Sequence, residues 1–253
     1  MFAALPMYDF ESLREATDAL WAAIRDSLRT RGFEAPDALT RGGDIAAQWR
    51  DSALLFGQTC GYPFWMGLRE HLEVLAAPIY NFRGCGGPSH GSFLVARKSD
   101  RRNASSQFRG ARAAINAHDS NTGMNLFRAA IAPLAQNGRF FGEVVVTGAH
   151  AASLEAVRNR KADIAAIDAV TYGLLRPEGV KIIGHTPSSP TLPFVTSRAT
   201  PPAIRAALRE ALRDLAPQPK LGLAGVAFVE ETAYARVEAI EREAAARGYP
   251  RLA

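Results

Sequence analysis

The chain has 253 residues, 47% hydrophobic and 22% charged, which is a globular composition and not that of a disordered or fibrous chain. That length suits one large α/β domain or two lobes of about 100–150 residues each, and no apolar run reaches the ~20 residues of a membrane helix. The formal charge of +5 favours a small anionic partner.

The positive charge is nearly all arginine, with lysine only at Lys98, Lys161, Lys181 and Lys220. Its densest cluster is Arg97-Lys98-Ser99-Asp100-Arg101-Arg102. No aromatic residues interleave with these charges, so the segment reads as a solvated loop and no nucleic-acid partner is expected. The two cysteines, Cys60 and Cys85, are too few for a structural zinc site, and a disulfide and two free thiols both stay open. Phe2-Ala3-Ala4-Leu5-Pro6 after Met1 lacks the basic, apolar and cleavage regions of a leader. The expectation is therefore either a cytoplasmic protein or a periplasmic one whose leader has been removed.

Residues 2–8 predict a buried strand, with Asp9 as cap of a helix whose Leu13, Ala16, Leu20, Ile24 and Leu28 share a face, ended by Gly32. A short helix over 44–50 follows, then a strand at 53–56, a helix at 64–71 and a strand at 73–80. Gly84, Gly86, Gly87 and Pro88 mark a loop. Strands are expected at 92–97, 113–116, 143–147, 163–167 and 180–184, with helices at 124–135 and 151–160 between them. A strand at 192–197 and helices at 201–215 and 230–247 complete the chain. Strand–helix alternation predicts parallel sheets covered by helices. Two such groups, one excursion and one return predict a lobe at 89–193 inserted into a lobe made of 1–88 plus 194–253.

Three strand-to-helix turns carry candidate chemistry. In the first, Ser120, Asn121, Thr122, Gly123 and Asn125 open a helix, where backbone N–H groups and neutral side chains suit an anion. Helix capping alone would also select Ser, Asn and Thr there. In the second, Thr147-Gly148-Ala149-His150 brings His150 to a helix start, as ligand donor or as surface cap. In the third, Asp168 ends an apolar strand, and ligands of open α/β sheets bind at strand carboxyl ends. Asp168 then accepts a proton from the ligand or caps the next helix. Tyr8 and the run holding Thr59 and Tyr62 also follow strands, and are candidates to close on the ligand from the opposite side.

Taken in order, the Asp119-to-Gly123 turn, the Thr147-to-Ser153 turn and the Asp163-to-Asp168 strand resemble the phosphonate- and phosphate-type solute-binding proteins of ABC transporters. The resemblance is strongest over about 108–175. It implies a two-lobed type II periplasmic-binding-protein-like fold of α/β class, the second lobe inserted in the first and the ligand cleft between them. It places Ser120, Thr122 and Gly123 on the family's oxyanion turn, His150 and Asp168 on its ligand-contacting His and Asp, and Tyr8 and Tyr62 on its first-lobe tyrosines. Asn121 stands where the family often has Ser or Thr. The resemblance further implies a monomer that hands a phosphate, phosphonate or similar oxyanion to a membrane permease, with no cofactor or metal. An enzyme on the same scaffold is the weaker reading, since no G-x-S-x-G, Walker or H-E-x-x-H motif occurs. A cytoplasmic ligand sensor is the other alternative.

Overall fold

In the computed structural model, which describes residues 1–253, the first helix runs Arg14–Thr30 and buries Thr17, Leu20, Trp21, Ile24 and Leu28, the face its spacing predicts. Gly32 follows with φ +82, the left-handed C-terminal position that glycine occupies without Cβ strain. Asp9 does not cap this helix. Its carboxylate is taken by Arg41, at 2.6 Å and 3.1 Å, and a 3-10 turn over Glu11–Leu13 leads into the helix instead. The strand expected at 2–8 stops at Ala4, because Pro6 has no N–H for the ladder.

The chain gathers into two compact units. The first comprises Met1–Asn81, Gly86–Pro88 and Pro190–Ala233. Its sheet has the order Phe2–Ala4, Leu54–Gln58, Phe194–Ser197, Leu72–Tyr80, Leu223–Ala227. Only Phe2–Ala4 and Leu54–Gln58 pair in parallel; Phe194–Ser197 runs antiparallel to both its neighbours. Helix Pro202–Arg213 packs on Arg14–Thr30 through a stripe of Ala207, Leu208, Ala211 and Leu212, and Arg209 bonds Glu73 of the sheet at 2.9 Å.

The second unit comprises Phe82–Cys85, Ser89–Ser189 and Tyr234–Ala253. Its sheet has the order Val180–His185, Ser92–Arg97, Ile164–Asp168, Arg112–Ile115, Glu143–Val146. The last three strands are parallel, and Ser92–Arg97 is antiparallel to both its partners. Ile164–Asp168, buried along its whole length, lies mid-sheet, as an unbroken apolar run requires. Leu154, Val157, Ala165, Ile167, Phe93 and Val180 form one core on this sheet.

The sheets are thus mixed, not wholly parallel. Parallel neighbours require a long crossover, and the strands without one, such as Ser92–Arg97, pair antiparallel. The C-terminal segment also departs from expectation: Tyr234–Ala253 belongs to the second unit, not with 194–233. Helix Ala235–Ala246 turns Val237, Ile240 and Ala244 inward and packs on helix Leu126–Ile131. Its i, i+3, i+7 spacing is legible in sequence, but a stripe of apolar residues does not say which unit it covers.

Candidate functional site

Three parallel strands of the second unit, Arg112–Ile115, Glu143–Val146 and Ile164–Asp168, end on the same side of their sheet. The turns carrying Ser120–Asn125, His150 and Asp168 therefore emerge at one carboxyl edge, the position at which open α/β sheets build ligand sites.

Ser120 begins the first turn, its hydroxyl accepting the Gly123 N–H at 3.0 Å. Asn121–Asn125 then wind as a single π-turn, an irregularity frequent at functional sites, before helix Leu126–Ile131. All five turn residues are buried. Asn121 Nδ2 donates to Ser189 Oγ at 2.9 Å, and Ser92 Oγ donates to the Thr122 carbonyl at 2.9 Å. Thr122 Oγ1 stands 3.0 Å from His150 Nε2, joining the first turn to the second. Gly123 is required by contact, not by backbone: a Cβ there would overlap Asn116 Oδ1 and lie 3.0 Å from His150 Cε1. Asn116 Oδ1 is itself buried without a hydrogen-bond partner.

Asp168 is 1% exposed. Its Oδ1 accepts the Thr171 N–H at 2.8 Å, capping helix Ala169–Leu175, and its Oδ2 stands 2.9 Å from His90 Nδ1. Burial alone would raise the Asp168 pKa, but the adjacent His90, His150 and the Thr171 N–H together hold it below the usual carboxylate range. His150 is pushed down from the ordinary imidazole value, first by burial and then by His90, against the pull of Asp168 and of the Ala166 backbone. At neutral pH the site therefore pairs a neutral His150 with an ionised Asp168. Both shifts favour fewer protons in the folded state than in the unfolded one. Their stability is present above the unfolded values, about 6.5 and about 3.9, and is lost as pH falls through the folded ones. His150→Gln is accordingly expected to flatten the fall of melting temperature below about pH 6.5. Melting curves of wild type and variant with the same acid slope would refute the shift.

Cys85 lies close enough to Asp168 to feel its charge. Burial first, and that charge second, push its thiol up to about 12. Cys60 and Cys85 are both free thiols, which decides between the two alternatives left open by spacing.

The structure thus brings Ser120, Asn121, Thr122, Gly123, His150 and Asp168 to one edge. Asn125 belongs to a different network: its Nδ2 donates to Asn121 Oδ1 at 3.2 Å and to the Val237 carbonyl at 2.9 Å, and its Oδ1 accepts from Arg128 at 2.7 Å. Tyr8, Thr59 and Tyr62 lie in the first unit, after the adjacent parallel strands Phe2–Ala4 and Leu54–Gln58. Tyr8 packs edge-on against Tyr80, and the Thr59 hydroxyl donates to the Cys60 carbonyl at 3.3 Å. His90, Ser92 and Asn116 join the second-unit site without having been singled out in sequence. His90 and Ser92 lead into a buried strand, and two polar residues alternating there were the available signal. No three His, Cys, Asp or Glu side chains converge as a metal site.

A family model described as "ABC transporter, phosphonate, periplasmic substrate-binding protein" matches residues 2–244. Among solved structures, the chain is similar to a binding-protein component of an ABC phosphonate transporter from Pseudomonas aeruginosa, with 14% identity, TM-score 0.73, and coverage of 98% of this chain and 87% of that one. It is similar to PhnD1 from Prochlorococcus marinus in complex with methylphosphonate, with 13% identity, TM-score 0.72, and coverage of 96% and 97%. It is also similar to a Xanthomonas citri protein bound to ATP, with 15% identity, TM-score 0.71, and coverage of 98% of both chains. No curated protein sequence matches.

Proposed function

The chain belongs to the periplasmic substrate-binding proteins of phosphonate ABC transporters, and from that premise we propose that it binds a small tetrahedral oxyanion, a phosphonate or phosphate, on the Ser120–Gly123 turn. The observation that carries this reading is the buried run of neutral donors at a strand's carboxyl edge, with the Thr122 hydroxyl held by His150. Neutral hydrogen bonds to a charged group are worth about 1.5–3 kcal/mol each in a shielded site. Several of them hold an oxyanion without a cationic side chain. The family's role implies that the loaded protein delivers its ligand to a membrane permease, and we propose that it does so as a monomer.

Binding without turnover is the second part of the proposal. A thiol whose pKa is about 12 stays protonated at neutral pH and is a poor nucleophile, which supports a non-catalytic Cys85.

Thr122→Val keeps the side-chain shape and removes the hydroxyl. Affinity for methylphosphonate is expected to fall by about tenfold or more, as one charge-assisted hydrogen bond is lost. Titration calorimetry of both proteins with methylphosphonate, inorganic phosphate and sulfate tests this. Neither methylphosphonate nor phosphate binding the wild type would overturn the reading. An unchanged affinity in Thr122→Val would remove the hydroxyl from it.

A further inference from the structure

His90 is fully buried. Nδ1 stands 2.9 Å from Asp168 Oδ2 as an ion-pair contact without hydrogen-bond alignment, and Nε2 has neither an ion-pair nor a hydrogen-bond partner in the protein. Buried polar atoms are nearly always partnered, because desolvation without a new bond is costly. An unpaired ring nitrogen at zero exposure therefore needs a partner from outside the chain.

The sheet register says what surrounds Asp168, the residue that His90 touches. Ser92 pairs directly with Asp168 across the antiparallel ladder, so their side chains share one face of the sheet. His90 lies in the short strand Ser89–His90 of a separate three-stranded sheet, and its contact with Asp168 brings its ring to the same place. Ser92 Oγ in turn donates to the Thr122 carbonyl, so this is the face that carries the Ser120–Gly123 turn. His150, bonded to Thr122, feels the charges of both Asp168 and His90.

We infer that His90 is a further ligand-contacting residue of this site, oriented by Asp168 and offering Nε2 to an oxygen of the bound oxyanion. The inference rests on the reading of the turn as an oxyanion site and refines it. Asp168 Oδ1 accepts the Thr171 N–H and its Oδ2 stands against His90 Nδ1, so Asp168 acts on the ligand through the imidazole. With Nδ1 beside Asp168, Nε2 is the ring nitrogen left to accept from a protonated phosphonate hydroxyl. An acceptor nitrogen at this place separates a protonated phosphoryl group from a fully ionised sulfonate, which carries no hydroxyl.

Asparagine and glutamine substitutions separate the two nitrogens, since an Asn amide takes the place of Nδ1 and a Gln amide that of Nε2. Wild type, H90N, H90Q and T122V are titrated with methylphosphonate and melted without ligand. H90N is expected to keep most of the melting temperature, because Asp168 keeps a donor, and to lose about tenfold or more in affinity. H90Q is expected to melt lower and yet bind more tightly than H90N. A histidine that only supports the fold predicts the opposite order, with affinity following stability; that order, or wild-type affinity in H90N, overturns the inference. Ring-nitrogen NMR of the wild type reads the contact without any variant: methylphosphonate should move the His90 Nε2 resonance far more than Nδ1, and an unmoved Nε2 overturns it. Failure of the wild type to bind methylphosphonate overturns the oxyanion reading and this inference together. Weakened T122V beside unaltered H90N overturns only the role of His90.

Discussion

Gly123→Ala is expected to cost the protein at least about 100-fold in affinity for methylphosphonate, roughly 2.7 kcal/mol, while leaving most of its stability. The backbone at Gly123 is not in the left-handed region, so alanine meets no conformational penalty there. The cost falls on two side chains: the new methyl overlaps Asn116 Oδ1 and crowds His150 Cε1 at 3.0 Å. Asn116 is a terminal amide and can swing aside, so the fold survives with a loss of about 1–3 kcal/mol, typical of overpacking. His150 cannot give way without releasing the Thr122 hydroxyl that it holds at 3.0 Å. The methyl group also stands over the turn where the oxyanion is proposed to dock. Asn116→Ala in the same chain removes the overlap, and the pair should couple: the double variant recovers part of the affinity that Gly123→Ala alone loses. Calorimetry and thermal melts of the three variants decide it. Wild-type affinity in Gly123→Ala would mean that ligand does not dock against this turn.

The second large effect is on stability. Arg128 is nearly fully buried, and its guanidinium joins three parts of the second unit. It donates to Asn125 Oδ1 at 2.7 Å and to the Pro250 carbonyl at 2.8 Å, and stands 3.3 Å from Glu241 on the last helix. Arg128→Met keeps much of the side-chain volume and removes the guanidinium from Asn125 Oδ1, the Pro250 carbonyl and Glu241. Buried acceptors stranded in this way cost about 1–3 kcal/mol each when no water replaces the donor, and breaking a buried ion pair costs about 3–5 kcal/mol. Glu241 is partly exposed and recovers water, so the total expected is about 3 kcal/mol, or a fall of about 6–12 °C in melting temperature. Arg242→Met is the control: its pair with Glu238 lies on the surface, and such pairs are worth about 0–1 kcal/mol. Equal melting shifts in the two variants would show that Arg128 does not hold the C-terminal segment.

Several features were legible in sequence because they depend on near neighbours along the chain. The period of Leu20, Ile24 and Leu28 makes one helix face apolar whatever lies opposite, and Gly32 ends that helix for a backbone reason. The apolar run before Asp168 reads as a buried strand because no residue in it tolerates water. The order of the three strand-to-helix turns carried the family resemblance, and parallel pairing then brings their carboxyl ends to one edge. Asp9 shows the limit of local signals: its cap-like spacing lost to Arg41, an ion-pair partner supplied by the fold.

What only the tertiary structure decided are the contacts between residues far apart in the chain. Local patterning does not reveal that His90 meets Asp168, that Asn116 fills the space over Gly123, or that Arg128 reaches Pro250. The mixed strand directions and the transfer of Tyr234–Ala253 to the second unit are of the same kind. An amphipathic helix or an alternating strand specifies which of its faces is to be buried, and the partner that buries it is chosen by the packing of the whole chain. The proposed oxyanion site combines both sources: its turns are written locally, and the side chains that hold them are assembled by the fold.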